Sequence, residues 1–140
     1  MDQLFTVGEY AKRNEIENKG RLRHMDKAAV YRFDGKHWCL LLNEGNGFWN
    51  DRALPTGEVL MEVNPRPDKR RLNFDLEHAS SRSQCTYMFY RKKGDEPETF
   101  EYLGEVRCID RQGNFLVFTR LVQPAAALPP AAARRAPPSP

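Results

Sequence analysis

The chain has 140 residues, of which 40% are hydrophobic, 29% charged and 11% aromatic, the proportions of one globular domain. Its formal charge of +3 falls to +1 once Arg134 and Arg135 near the C-terminus are set aside, so bulk charge gives no argument for nucleic-acid binding. No run of eighteen apolar residues occurs, and the start MDQLFTVGEYAKRNE has neither the basic opening nor the apolar stretch of a signal peptide, so no membrane partner and a cytoplasmic location are expected.

The first third carries the clearest helical signal. Between Glu9 and Asn18 the helix formers Glu, Ala, Lys and Ile outnumber the breakers, which predicts a short helix. Next, the apolar stretches 28–33 (AAVYRF) and 37–42 (HWCLLL) flank Asp34-Gly35, a dipeptide that readily supplies two positive φ angles. They predict a β-hairpin. Trp38 lies mid-strand and is expected in the core, with Tyr31 as its cross-strand neighbour.

Residues 58–63 (EVLMEV) alternate polar and apolar and run into Asn64-Pro65-Arg66-Pro67, where two residues without a backbone N–H must stop a sheet ladder. Leu72 to Ala79 reads as a second short helix with Asn73 as its cap. The stretches 85–91 (CTYMFYR) and 100–108 (FEYLGEVRC) predict a second hairpin with a charged tip. A final strand is expected over 114–122.

Six of the ten prolines lie in 123–140, which reads as a disordered or polyproline-like tail behind a domain of residues 1–122. Many strands with one or two short helices and no βα alternation predict an α+β fold built on a strongly bent sheet or a small β-barrel. Cys39, Cys85 and Cys108 are odd in number, far apart and set in strand-like stretches, the pattern of buried free thiols rather than a zinc site.

Four landmarks in one order carry a resemblance. They are Phe5-Thr6-Val7-Gly8-Glu9-Tyr10 with Arg13 and Ile16, the Asp34-Gly35 hairpin, Phe48-Trp49-Asn50-Asp51, and Met88-Phe89-Tyr90-Arg91 followed by Phe100 to Val106. Together they resemble the PUA-like modified-base reader domains of McrA-type restriction endonucleases and helicase-fused relatives, over about residues 4–122. The resemblance implies a pseudo-barrel with a pocket that accepts a base flipped out of duplex DNA, often a methylated one. It departs from the nuclease-fused members in lacking any His-Asn-His pattern, since the only histidines are His24, His37 and His78. A separate effector protein, such as a nuclease, would have to supply any cleavage.

A flipped-base pocket needs flat apolar surfaces, polar groups to read the base edge and cations to hold the backbone. Phe48 and Trp49 follow the glycine-rich 44–47 and offer a stacking surface, with Asp51 as acceptor for an exocyclic amine; the competing reading folds both rings onto the domain and pairs Asp51 with Arg52 or a turn. Tyr10, Tyr87 and His78 complete the candidate pocket. Backbone contacts are expected from Arg13, from the +3 cluster Arg66, Lys69, Arg70 and Arg71 around Asp68, and from Ser81 and Arg82. A solvated charged loop is the plainer reading of each.

No phosphate loop, Cys-x-x-Cys, Gly-x-Ser-x-Gly or His-Glu-x-x-His occurs, so no enzyme and no cofactor are expected; a hydrolase acting through Asp51 and His78 is the enzymatic alternative. The expected partner is nucleic acid, DNA ahead of RNA. The alternative from another class is a protein-interaction or inhibitory module whose Pro/Ala tail docks on a partner.

Overall fold

The computed structural model describes residues 1–26, 29–45 and 50–121. The expected tail, and with it the domain boundary at 122, lies outside the described residues, as do Phe48 and Trp49. Nine strands and two helices follow in the order β1 (Tyr10–Lys12), α1 (Arg13–Gly20), β2 (Arg23–Asp26), β3 (Val30–Phe33), β4 (His37–Asn43), β5 (Arg52–Ala53), β6 (Val59–Glu62), α2 (Arg70–Glu77), β7 (Thr86–Arg91), β8 (Thr99–Gln112) and β9 (Phe115–Arg120). Short 3-10 turns at Pro67–Lys69 and Ser80–Arg82 bracket α2.

All strands join one sheet in the order β2-β3-β4-β7-β8-β9-β6-β5, with β1 on β8. The order begins at β2 and ends at β5, and among the described residues these two do not pair. The sheet is therefore strongly bent but open, and the barrel expected as one of the two forms is not made. β5 is only two residues long and so offers almost no ladder for closure.

The bend is concentrated in β8. Glu101 faces Tyr10 on one side and Tyr90 on the other, while Val106 faces Arg120 and Thr86, so β1 and β9 follow one another along the same edge of β8. Between them Gly104 takes φ +87° at a register shift against β7. A Cβ there would sit 2.9 Å from the Val7 Cγ2, which is why this strand position needs glycine. A second shift lies between Cys108 and Asp110.

Two cores lie on opposite faces of the sheet, and the run Trp38-Cys39-Leu40-Leu41-Leu42 serves both. Trp38, Leu40 and Leu42 join Met88, Tyr90, Leu116 and Phe118 on one face, covered by Leu76 and Ala79 around α2. Cys39 and Leu41 join Phe5, Ile16, Phe89, Phe100 and Tyr102 on the other, under α1 and the N-terminal segment. An apolar run without alternation is what a strand buried on both faces requires. Accordingly β4 pairs in parallel with β7, from Trp38 opposite Thr86 to Asn43 opposite Arg91.

The Asp34-Gly35 hairpin forms as expected, with φ of 55° and 67° at the two residues. Its register puts Tyr31 opposite Cys39 and Arg32 opposite Trp38, so Arg32 rather than Tyr31 is the tryptophan's cross-strand neighbour. Because Phe33 pairs with His37, three residues form the loop, and Tyr31 points to the other core. Asn73 does not cap α2. The helix starts at Arg70, after Pro67 has opened the preceding turn, and Asn73 is buried inside it, donating through Nδ2 to the Asn64 carbonyl at 2.7 Å. Tyr10, expected in the first helix, belongs to the short strand β1. The three cysteines are free thiols: Cys39 is buried, and Cys85 and Cys108 are half-buried.

Candidate nucleic-acid interface

Asn50 and Asp51, which follow Phe48 and Trp49 in the sequence, belong to a network of polar groups at one end of the bent sheet. Asp51 is its centre, 6% exposed. Its Oδ1 accepts the Glu62 N–H at 3.0 Å, and the Asn43 N–H also donates to its carboxylate. Burial nevertheless outweighs these two donors and pushes the Asp51 carboxyl up to about 6, with the nearby Glu62 charge adding to the rise.

Glu62 in turn accepts from the Asn50 N–H at 2.9 Å and from Asn50 Nδ2 at 3.2 Å. Tyr90, buried on β7, donates its hydroxyl to Glu44 and accepts the Ala53 N–H at 2.9 Å. Burial and the Glu44 carboxylate push the Tyr90 hydroxyl well above the usual phenol range. The neighbouring strands β4 and β7 are thereby joined to the pair β5 and β6, which stands apart from them along the sheet. Glu44, Glu62 and Tyr90 were not among the sequence candidates, since nothing local marks a pair of carboxylates and a tyrosine as neighbours.

The other pocket candidates lie elsewhere. Tyr87 faces the opposite core from Tyr90, with its ring 5.7 Å from Phe33 and 6.3 Å from His37. Tyr10 is 54% exposed on β1, its hydroxyl 3.4 Å from Glu101, whose charge raises its pKa. His78 follows α2 and packs on Phe74 with ring centroids 4.3 Å apart, its Nε2 3.8 Å from Glu77. The described structure does not bring these three to Asp51.

The backbone candidates other than Arg13 do gather, around α2. Phe74, 46% exposed, is covered on one side by His78 and approached by the Arg82 guanidinium at 5.4 Å. Asp75 accepts from both Arg71 at 3.2 Å and Arg82 at 2.7 Å, Arg66 pairs with Asp68 at 3.2 Å, and Ser81 Oγ donates to the His78 carbonyl at 2.8 Å. Lys69 and Arg70 are part of the same segment. The result is a cationic surface with a stacking platform, but one whose arginines are largely matched by carboxylates. Arg13 lies apart at the start of α1, in an ion pair with Glu98 at 2.6 Å, a hydrogen bond to the Tyr31 hydroxyl at 3.1 Å, and a contact over the Phe100 ring. Tyr31 completes this group by donating to Glu17 at 2.6 Å.

Among the described residues no group of His, Cys, Asp and Glu could hold a metal ion, and no helix is long and apolar enough to cross a membrane. No family model matches the chain, and no curated protein matches it. Among solved structures it is similar to a DNA modification-dependent restriction endonuclease, AspBHI, at 15% identity and a TM-score of 0.49, over 82% of this chain and 72% of that one.

Proposed function

We propose that the chain is a nucleic-acid-binding module that recognises a modified base in duplex DNA, a 5-substituted cytosine flipped against Trp49 and Phe48, in a restriction or defence setting. It binds rather than cleaves, and an effector protein supplies any cleavage. The observation that carries this reading is the Asp51 carboxylate, buried two residues after Trp49. A carboxylate has about four acceptor positions, and among the described residues two N–H groups occupy it. What remains suits the exocyclic amine of cytosine, the base whose amino group carboxylates accept from. Burial makes the contact selective, because a base that leaves the buried carboxylate unpaired forfeits a hydrogen bond there. The resemblance of the sequence landmarks to modified-base readers points the same way.

The test is fluorescence-anisotropy binding of the full chain to matched duplexes carrying cytosine, 5-methylcytosine, 5-hydroxymethylcytosine or a glucosylated base, with single-stranded RNA as control. Trp49→Ala is expected to abolish the preference for a modified duplex and to leave binding of the plain duplex nearly unchanged; Asp51→Asn is expected to weaken the flipped-base complex whichever 5-substituent the cytosine carries. Equal loss on both duplexes in Trp49→Ala would reject the pocket. Absence of any preference in the unaltered chain would reject the reader and turn attention to a protein partner.

A further inference from the structure

At the β2–β3 edge of the sheet lies a cleft of about 780 Å³, between that edge, the C-terminal end of α1 and the N-terminal segment. We propose that it holds the sugar-phosphate backbone of duplex DNA; the proposal rests on the nucleic-acid-binding reading above.

The charge of the lining is the first observation. Lys19, Arg21, Arg23 and Arg32 line the cleft with Asp34 as its one carboxylate. On the α2 surface, by contrast, three of the five cations, Arg66, Arg71 and Arg82, have a carboxylate partner. A cation already paired with a carboxylate gains less from a phosphate than an unpaired one. Four cations against one carboxylate gain more.

The second observation is that two of these arginines stand where they cost stability. Arg23 and Arg32 are directly opposite one another in the β2–β3 pairing, and like charges in that relation repel. Arg21 closes α1 in the left-handed region at φ 48° and ψ 49°, a position where glycine carries no Cβ penalty. Neither Arg21 nor Arg23 has a hydrogen bond, ion pair or ring contact for its side chain among the described residues. Local choices that work against the fold and converge on one cleft mark a site rather than a scaffold.

Third, Arg32 is held in place before any ligand arrives. Its guanidinium lies 3.8 Å over the Trp38 ring and donates to the Lys36 carbonyl at 3.0 Å. Lys19 rests its ammonium 4.7 Å from the centroid of Phe5. Two anchored cations and two unpartnered ones, contributed by a helix, its cap and two strands, suit a run of phosphates better than a single ion.

The left-handed position of Arg21 makes an unusually clean experiment possible. Arg21→Gly removes the charge while relieving the backbone, so thermal stability should hold or rise as binding falls; Arg23→Gln removes the facing charge. With the full chain, anisotropy titrations on plain and modified duplexes over a salt series should show each variant lowering the log affinity versus log salt slope by about 1. The double variant should bind both duplexes about tenfold more weakly, with the ratio between them preserved. Unaltered affinity and slope in both variants would overturn the cleft and leave the base reader standing. Binding that depends on Arg21 and Arg23 without preference for any modified base would support the cleft and overturn the reader. Failure of the unaltered chain to bind any duplex at low salt would overturn both.

Discussion

The Asp51 carboxylate accepts the backbone N–H of Glu62 at 3.0 Å, tying the segment just before β5 to β6, a strand that stands four places from β4 in the sheet order. With the Asn43 N–H donating to the same group, one buried side chain clasps the two arms of a sheet that hydrogen bonding leaves open. This clasp has consequences for stability as well as for recognition.

Its pH dependence has a definite sign. The Asp51 carboxyl is raised to about 6 in the folded chain, against about 4 for a free aspartate, so between these values the native state holds a proton that the unfolded state releases. The stability linked to this group is full below pH ~4 and is lost as pH rises through about 6. A shift of this size corresponds to about 2–3 kcal/mol. Urea unfolding of the unaltered chain and of Asp51→Asn from pH 4 to 7.5 should show their stability difference changing by that order. A constant difference would mean that the carboxylate is solvated.

Removing one oxygen should loosen the same end of the sheet. Tyr90→Phe leaves the Ala53 N–H and the Glu44 carboxylate without their shared partner, and loss of a buried hydrogen-bonding group costs about 1–3 kcal/mol. The expected result is a lower urea midpoint with an unchanged slope, together with a weaker preference for the modified duplex. An unchanged midpoint would show that water replaces the hydroxyl at little cost.

The bend in β8 is open to a paired comparison. Gly104→Ala meets both a positive φ of 87° and a Val7 methyl 2.9 Å from the new Cβ, whereas Gly113→Ala meets a φ of 61° with nothing within 4 Å. Left-handed strain alone costs about 1–2 kcal/mol, and the clash should take Gly104→Ala to about 3 kcal/mol or more. Equal losses at the two positions, measured by denaturant unfolding, would show that the segment around Val7 yields freely.

On α2, Arg70 and Arg71 differ in their surroundings. Arg71 pairs with Asp75 four residues on, while Arg70 has no side-chain partner among the described residues. If this surface touches phosphates, Arg70→Gln should weaken plain and modified duplexes by the same factor and lower the salt slope by about 1, with a smaller effect for Arg71→Gln. Stability should move by no more than about 0.5 kcal/mol, as exposed charges contribute little. Binding that responds to neither variant would assign no phosphate contact to the α2 face.

What the amino-acid sequence determined by itself is the set of features that depend on neighbours in the chain. The Asp34-Gly35 turn was legible because only a few residue types accept two positive φ angles in succession, and the strand stop at Asn64 to Pro67 because proline lacks a donor. The double burial of Trp38 to Leu42 was visible only as an apolar run, which periodicity cannot assign to a partner strand. Tertiary structure alone decided the parallel pairing of β4 with β7, which places Trp38 opposite Thr86, and the clasp of Asp51 on Asn43 and Glu62. It also decided that Arg21, Arg23 and Arg32, unremarkable in a chain of near-balanced charge, converge on one cleft. Turns and stops follow from local steric energy, which a few residues set. The clasp and the cleft follow from long-range pairings, whose free energy comes from burying both faces of the central strands and has no signature within any short stretch of chain.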